Sequence, residues 1–323
     1  MKYLIPTIDV EAIRSLSRLG NFDQLIMGKI NNEYFGATRI AEIINEYGGS
    51  GTFFVDFAEH EHGINKLKFL SEKIVANNCD VQLHIHPQFI ADKSRYLLNS
   101  YNKNEQYEII SKTIKIYEDC INEKPISFRA GGYGADENTI EVLSDLGINI
   151  DSSYFFNHKW CKLKEKPINV VSKNSNFYEI PVTIFSNNIS YKFLNIKLKK
   201  KSLIKKLDVD GCSEEELIKG FDSLKNSNVR IIILFLHSYS LINWSSDYKK
   251  ISPDYKDIDK FRIILQHAIN SGYKIESIKN IRNKLDEFIN DSSNIPQITT
   301  VRNPIQSAII TAKHTLRKTA RGK

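Results

Sequence analysis

The chain has 323 residues, of which 41% are hydrophobic and 26% are charged, and its formal net charge is +7. This composition is that of an ordinary globular protein of one large domain or two, so it excludes a disordered chain, a collagen-like repeat and a disulfide-stapled miniprotein. The positive charge is concentrated in residues 292–323, which hold six cations and no acid. The rest of the chain is nearly neutral, which argues against a nucleic-acid-binding protein.

Short apolar runs alternate with amphipathic segments, which is typical of a parallel sheet built from strand-helix units. Strands are predicted over residues 3–9, 52–55, 80–84, 127–129, 148–152, 177–185 and 230–237. Helices are predicted over residues 37–47, 64–77, 105–122, 136–146 and 213–224. About seven such units favour an α/β fold, a deformed (β/α) barrel of the TIM type. We expect a barrel domain over residues 1–291 and a basic tail over residues 292–323.

Two basic segments stand out against this pattern. A helix predicted from Pro304 places Ile305, Ile309 and Leu316 on one face and cations on the other, and residues 197–206 contain six lysines. Either segment fits a solvated helix face or an anionic membrane surface, and the tail helix also fits packing on the barrel. With no signal peptide and no spanning run in the sequence, we expect a cytoplasmic protein with peripheral contact at the inner face of the membrane through residues 304–318 and 197–206.

The four cysteines are expected to be free thiols. They are Cys79, Cys120, Cys161 and Cys212, and no two of them form a CxxC pair. Such wide spacing is not that of a secreted disulfide scaffold. The cysteines therefore indicate core residues and carry no functional prediction.

Polar side chains end several predicted strands, and in a parallel barrel the active site lies at those carboxyl ends. The residues are Asp9 and Glu11 after the first strand, His84 and His86 after the third, Arg129 after the fourth and His237 after the last. A His-x-His pair on a strand places both rings on one side, where they can bind one cation. These side chains fit a metal-assisted hydrolase; polar residues that line the mouth without a metal are the alternative.

The order of these motifs over residues 3–240 resembles that of the polysaccharide deacetylases, carbohydrate esterase family 4, with the NodB-homology fold. The matching segments are Thr7-Ile8-Asp9-Val10-Glu11 for the Thr-Phe-Asp-Asp motif, residues 51–55 for the second strand, His84-Ile85-His86-Pro87 for His-Ser/Thr-x-x-His-Pro, residues 128–134 for Arg-x-Pro-Tyr, Asp151-Ser152-Ser153 for the aspartate-and-tryptophan motif, and Leu236-His237 for Leu-x-His. The resemblance implies a NodB-like deformed barrel.

The chain departs from the family pattern at three of these motifs. Val10 stands where the family has its metal-binding Asp, so either Glu11 or Asp9 must supply the carboxylate ligand. The histidine spacing falls from four residues to two. The fourth motif keeps Asp151 but lacks its partner Asp and Trp. These differences indicate a divergent branch in which each chemical type is retained.

The resemblance also implies a role for each residue. His84, His86 and Glu11 would hold a divalent metal, with zinc favoured and cobalt, manganese or nickel as alternatives. Asp9 would act as base, Arg129 would keep it ionised, and His237 would act as general acid. The turn at Gly132 and Tyr133 would bind the oxyanion through a backbone N–H. Asp151 would support Arg129 from a second layer.

The predicted reaction is removal of an acetyl group from an N-acetylated sugar in a glycan, a lipid-linked precursor or a nucleotide-linked precursor. Hydrolysis of a non-sugar amide and a catalytically inactive sugar-binding module are the alternatives. An amidohydrolase barrel is the rival fold, but its His-x-His pair belongs to the first strand. The remaining histidines, which receive no role, are His60, His62, His158, His267 and His314.

Overall fold

Strands form where short runs of Ile, Val, Leu and Phe are bounded by glycine, asparagine or charged residues. The structure is a computed structural model that describes residues 1–12, 22–193, 196–245, 250–289 and 294–302. The strands are β1 (Tyr3–Val10), β2 (Lys29–Ile30), β3 (Glu33–Tyr34), β4 (Thr52–Asp56), β5 (Asp80–Ile85), β6 (Ser127–Ala130), β7 (Ile150–Asp151), β8 (Ser172–Asn174), β9 (Phe177–Glu179), β10 (Ile184–Phe193), β11 (Ile196–Lys206), β12 (Ile231–His237), β13 (Ile242–Trp244), β14 (Ile251–Pro253), β15 (Lys274–Ile275) and β16 (Gln297–Arg302).

The helices lie between these strands, and most begin at a capping residue. They are α1 (Phe22–Leu25), α2 (Ala37–Glu46), α3 (Ile64–Ala76), α4 (Lys103–Ile121), α5 (Glu137–Asp145), α6 (Glu214–Asn226), α7 (Tyr255–Asn270) and α8 (Ile278–Ile281), with 3₁₀ segments at Phe57–His62, Pro87–Phe89, Leu98–Ser100, Gly131–Tyr133 and Arg282–Phe288. Asn102, Asp136 and Ser213 form capping boxes at the starts of α4, α5 and α6. These caps satisfy backbone N–H groups that a helix cannot pair internally.

The main sheet has nine strands in the order β12-β1-β4-β5-β6-β7-β9-β8, and β15 also pairs with β1. Every neighbouring pair from β12 to β9 is parallel. These seven parallel strands confirm the predicted α/β class. In the described part of the chain β8 and β12 do not pair with each other, so the sheet is a curled half-barrel, open on that side.

Side chains along β1 point alternately to the two faces of the sheet, and this places the polar residues at the end of the strand. Leu4, Ile8 and Val10 pack in the large core beneath the helices. Tyr3 and Ile5 belong to a second apolar cluster on the other face of the sheet. Because side chains alternate across a strand, Asp9 continues that second face, which changes from apolar to polar toward the carboxyl ends of the strands.

Two predicted elements differ from the structure, and one helix was missed. The predicted strand 177–185 is divided into β9 and the start of β10, because Pro181 between them has no N–H for strand pairing. The reading of residues 197–206 as a helix face is wrong, since Ile196–Lys206 is strand β11 and pairs antiparallel with β10. Helix α7 was not predicted.

The carboxyl-terminal segment contributes one strand that the sequence did not predict. Gln297–Arg302 forms β16 and pairs parallel with β10, so the second sheet has the order β11-β10-β16. The helix predicted from Pro304 lies outside the described residues. Cys79, Cys120 and Cys212 are buried and Cys161 is half-buried, all as free thiols. Within the described residues, no helix is long and apolar enough to span a membrane.

Candidate metal and catalytic site

Asp9 and Glu11 reach the same side of the sheet because they are two residues apart at the end of β1. Val10 between them points the opposite way and is 1% exposed in the core. Asp9 accepts a hydrogen bond from Nη1 of Arg129 at 2.9 Å. Glu11 instead lies beside His84 of β5 and His86, which follows that strand. The apolar Val10 between Asp9 and Glu11 is therefore compatible with both carboxylates facing the open end of the half-barrel.

Glu11, His84 and His86 form one cluster. Oε2 of Glu11 lies 3.4 Å from Nε2 of His84 and 2.5 Å from Nε2 of His86. The three candidate ligand atoms all lie within 4.8 Å of one another. Nδ1 of His84 is 2.8 Å from the backbone oxygen of Arg129. Because a carbonyl oxygen only accepts, that contact requires the proton on Nδ1 and leaves Nε2 as the ligand atom.

The electrostatics of this cluster favour a cation. Burial alone would raise the pKa of Glu11, but the charge of His86 and hydrogen bonds from both histidines hold it well below its usual range. Burial lowers the pKa of each imidazole, yet the surrounding carboxylates outweigh it and raise the pKa of His84 and of His86. Positive charge is thus stabilised between these three side chains, which is what a bound divalent ion would supply.

Arg129 connects Asp9 to the loop after β7. Its side chain is fully buried, Nε donates to the backbone oxygen of Ser152 at 3.0 Å, and Nη2 donates to Ser152 Oγ at 2.9 Å. Asp151, which we expected to support Arg129, accepts a hydrogen bond from Ser153 Oγ at 2.7 Å instead. Ser153 Oγ in turn accepts from the backbone N–H of Ala130 at 2.9 Å. The direct support of the guanidinium comes from Ser152, one residue later than expected.

His237 ends β12 directly beside Asp9 in the parallel register. Its Nδ1 is 3.2 Å from Oδ2 of Asp210, and its Nε2 is 3.7 Å from Oε1 of Glu11. Its ring is stacked on Tyr239, with centroids 4.8 Å apart, and the Tyr239 hydroxyl donates to Glu11 at 3.3 Å. His237 is therefore oriented by a carboxylate on one nitrogen and faces the cluster with the other.

A cavity of about 560 Å³ opens over these groups. Its lining comprises Asp9, Glu11, Ala12, Glu59, His86, Gln88, Phe89, Tyr96, Gly132, Tyr133, Asn157, His158, Lys159, Trp160, Lys206 and His237. The floor is polar and one wall is aromatic, with Tyr96 and Trp160 at an edge-on centroid distance of 6.1 Å. His158, to which the sequence assigned no role, lines this wall and stacks on Phe155 at 5.0 Å.

The turn after β6 has a backbone shape that few residues adopt. Gly132 and Tyr133 have φ of 60° and 61°, and a bulky residue in this left-handed region is held there by its surroundings. The Tyr133 hydroxyl accepts from Lys206 Nζ at 3.1 Å, and its ring contacts His158 edge-on. A Cβ on Gly131 would lie 2.6 Å from Nδ1 of His86. Gly131, directly before the predicted oxyanion turn at Gly132 and Tyr133, thus lets the backbone approach His86 closely.

The end of the lysine-rich run points into the protein. Lys205 Nζ is 2.8 Å from Glu216 Oε2, and Lys206 Nζ is 3.2 Å from Asp208 Oδ2. Lys206 also lines the cavity. Two of the six lysines in residues 197–206 are therefore paired with acids of the protein itself. The membrane contact predicted for residues 197–206 and 304–318 has no support in the described residues and stays a prediction.

Asp210, Tyr239 and Ser152, to which the sequence assigned no role, contact the candidate site residues. Asp210 reaches the site because residue 208 forms a parallel bridge with residue 235 of β12, which no local pattern predicts. Among the other histidines, His267 pairs with Asp222 at 2.8 Å, far along the chain from these motifs. The side chains of His60 and His62, and all of His314, lie outside the description.

No family sequence model matches the chain, and no curated protein matches it in sequence. Among solved structures, a presumptive polysaccharide deacetylase from Mycobacterium smegmatis matches with a TM-score of 0.54 and 14% identity, over 92% of this chain and 96% of that one. A family 4 carbohydrate esterase from Streptomyces lividans, solved with acetate, matches with a TM-score of 0.43 and 12% identity, over 84% and 91% of the two chains. A CE4 family pseudoenzyme from Bacillus anthracis, BA3943, matches at 0.46 and 12%, over 93% and 69%.

The Mycobacterium match shows that the chain has a polysaccharide deacetylase fold. It confirms the fold that the motifs predicted. Because the identity is only 14%, the match is evidence about architecture, and the chemistry has to be argued from the side chains described above.

Proposed function

Starting from the polysaccharide deacetylase fold, we propose that this chain is a metal-dependent hydrolase that removes the acetyl group from an N-acetylated sugar. The observation that carries the proposal is the cluster of Glu11, His84 and His86, whose ligand atoms lie within 4.8 Å of one another. Asp9 and His237 flank this cluster in the same cavity. Ligands, a base and an acid therefore share one site.

The donor set fits a divalent metal. Two imidazoles and one carboxylate are a ligand combination of catalytic zinc sites, and the His84 ring is held by a backbone carbonyl in the manner of an oriented metal ligand. Glu11, His84 and His86 would hold the ion, for which we propose zinc, with cobalt, manganese and nickel to be tested beside it. A bound divalent ion would supply Lewis acidity toward water and the acetamide carbonyl.

Asp9 and His237 would move the protons. Asp9 is ion-paired with the buried Arg129, which fixes the orientation of its carboxylate, as a general base requires. Nδ1–H of His237 would donate to Asp210, which directs Nε2 toward the cavity and stabilises the ring when it carries two protons. His237 would thus protonate the departing amine. A backbone N–H of the turn at Gly132 and Tyr133 would stabilise the oxyanion.

The cavity wall supports a sugar as the substrate. Tyr96, Tyr133 and Trp160 line one side of the cavity. Tyr and Trp combine an apolar ring with a polar group, so they can pack against a sugar ring and hydrogen-bond to it. The volume of about 560 Å³ is in the range of a small-molecule site. We propose an N-acetylated glycan, lipid-linked or nucleotide-linked precursor, acted on in the cytoplasm.

Acetate release tests this proposal. The purified protein, supplied with zinc, cobalt, manganese or nickel, is incubated with N-acetylated monosaccharides, oligosaccharides and nucleotide sugars, and the same panel includes simple non-sugar acetamides. We expect release from a sugar and a loss of release when the ion is chelated. Release from non-sugar amides alone would move the scissile bond outside carbohydrates. Metal and sugar binding without release from any substrate would indicate an inactive binding module.

A further inference from the structure

A pair of buried carboxyl groups lies behind the loop that holds Arg129. Asp151 and Glu179 are opposite each other in the parallel register of β7 and β9, and they are 0% and 3% exposed. Each uses one oxygen to accept a hydrogen bond, Asp151 from Ser153 Oγ at 2.7 Å and Glu179 from the backbone N–H of Tyr154 at 3.0 Å. Oδ2 of Asp151 and Oε2 of Glu179 are buried without a donor among the described residues.

Two buried, facing carboxylates cannot both carry a charge at low cost, because each is desolvated and repels the other. Burial and the negative charge of Asp151 together raise the pKa of Glu179 well above its usual range. A proton on Oε2 of Glu179, donated to Oδ2 of Asp151, gives both of these oxygens a partner. Burial raises the pKa of Asp151 as well, but hydrogen bonds from Glu179, from Ser153 and from the Ser152 backbone oppose that rise, so Asp151 is the better site for the negative charge.

The pair is connected to the candidate base through two serines. Ser152 follows Asp151 and binds the guanidinium of Arg129 with both its backbone oxygen and its hydroxyl. Ser153 bridges the Asp151 carboxylate and the backbone N–H of Ala130, the residue after Arg129. A displacement of Asp151 would therefore move the groups that hold Arg129 against Asp9.

We propose that Asp151 and Glu179 share one proton, and that this pair is a positioning group which holds the Ser152–Ser153 segment against Arg129 and thereby aligns Asp9. The effect on turnover rests on the proposed function, whereas the shared proton does not. The other titratable groups near the pair are Tyr154, Cys161 and Lys166. Glu179 also lines a cavity of about 140 Å³, and Glu137 and Lys173 line the same cavity.

Lys166 opposes proton retention, since its charge lowers the pKa of Glu179, but it ranks below burial and the charge of Asp151. The net result is a protonated Glu179. As pH rises, this proton is lost, two charges face each other in the interior, and the Ser152–Ser153 segment is no longer held in place.

Two substitutions of Glu179 separate the proton from the side chain's shape. Glu179→Gln keeps an oxygen for the Tyr154 N–H and presents an amide N–H to Asp151, so it imitates the protonated acid at every pH. Glu179→Met removes the donor and leaves Oδ2 of Asp151 buried without a hydrogen-bond partner. We expect kcat to fall about 10- to 100-fold in the Met variant, as for a misplaced catalytic group, with little change in KM, and to be largely restored by Gln. Equal losses in both variants would overturn the positioning role.

An infrared measurement tests the proton without any activity. The difference spectrum between wild type and Glu179→Gln should contain the carbonyl band of a protonated carboxyl group, and this band should persist at a pH where exposed carboxyls are ionised. Asp80→Asn is the matched control. Asp80 is another buried carboxyl group, but it lies at the amino end of β5, whereas His84 lies near the carboxyl end of that strand. Removal of the Asp80 carboxyl should leave the band of Glu179 and the kcat unchanged.

The result remains decisive if the Met variant does not fold or if no deacetylase activity is found. In the first case, the unfolding free energy of wild type should fall relative to Glu179→Gln as pH rises through the raised pKa of Glu179. In the second case the proposed function fails, while the infrared band still decides whether the proton is shared. The shared proton would be refuted by a spectrum without the band, together with unfolding free energies of wild type and Glu179→Gln that change in parallel with pH.

Discussion

Both ends of the parallel strands carry buried polar side chains, but the two ends are built differently. At the amino end, Asp80 accepts a hydrogen bond from Gln82 Nε2 at 2.8 Å and faces Thr52 Oγ1 at 3.4 Å. Oε1 of Gln82 accepts the backbone N–H groups of Ile126 and Ser127 at 2.9 and 2.8 Å. These bonds join β4, β5 and β6, so the side chains of Asp80 and Gln82 connect neighbouring strands.

At the carboxyl end, side chains from strands that are not neighbours meet. Arg129 of β6 reaches Asp9 of β1, and His84 of β5 reaches Glu11 beyond the end of β1. Burial raises the pKa of Asp80 to about 7, and burial with the charge of Glu59 raises that of Asp56 beside the candidate site. A carboxyl group with a raised pKa is thus found at both ends of the strands. What distinguishes the carboxyl end is the convergence of candidate metal-ligand atoms on an open cavity.

The largest test of this contrast is removal of both histidines. His84→Ala combined with His86→Ala leaves only one of the three candidate ligands, so we expect the protein to lose its divalent ion and its turnover entirely. Elemental analysis after incubation with zinc, cobalt or manganese gives the metal content, with about one ion expected for wild type. Asp80→Asn should keep that ion. A wild-type protein that takes up no metal would contradict the assignment.

The proposed base and acid should show the next largest effect. We expect Asp9→Asn and His237→Ala to lower turnover by about two to four orders of magnitude, the scale of general acid–base groups, while the metal content is retained. Circular dichroism and thermal unfolding must show a native fold, because Asp9 is also the partner of the buried Arg129. Near-native turnover in either variant would reject its proposed role.

The carboxyl end was largely predictable from the sequence because its main residues follow apolar runs. Asp9, His84, Arg129 and His237 each stand at the end of a strand whose pattern is unambiguous. The choice between Asp9 and Glu11 as metal ligand stayed open, because it depends on where Arg129 lies. The structure places Arg129 on Asp9 and leaves Glu11 to the histidines.

Contacts that depend on loops and on the second sheet were not predictable. Asp210 reaches the site through the isolated bridge between Asp208 and Phe235, which leaves no local signal. Ser152 and Tyr239 stand close in sequence to predicted site residues, but their contacts depend on the curl of the sheet. The lysine-rich run was misread because lysine is compatible with an exposed helix. Pairing with β10, whose Asn187 and Ile189 are fully buried, makes it a strand instead.

Gly131 offers a finer test of the carboxyl end. In Gly131→Ala the new Cβ would lie 2.6 Å from both His86 Nδ1 and the Ile85 backbone oxygen, so His86 must move. We expect metal affinity to fall about 10- to 100-fold, as for a disturbed ligand orientation, measured by competition with a chelator. Gly147→Ala is the control, because it strains a positive φ of 82° but meets no atom within 4 Å. Equal metal affinities in the two variants would show that His86 is not a ligand.

The smallest effect is expected at the amino end, where Asp80 titrates without a catalytic role. The pKa of Asp80 is about 7 in the folded protein, whereas that of an unfolded aspartate is about 3.9. Between these values the folded state binds the proton more tightly, so the stability contributed by protonated Asp80 is complete below about pH 4 and is lost as pH rises toward 7.

Asp80→Asn removes this titration and keeps a neutral side chain. The free energy of unfolding of the variant should therefore rise relative to wild type across the interval from about pH 4 to 7, by at most about 4 kcal/mol for a shift of about three pKa units. Denaturant unfolding at several pH values in that interval measures the difference, and acetate release and metal content serve as readouts of the carboxyl end. Parallel stability curves would mean that Asp80 is ionised in the fold. A changed metal content would mean that the two ends are coupled, because strand β5 carries Asp80 at one end and His84 near the other.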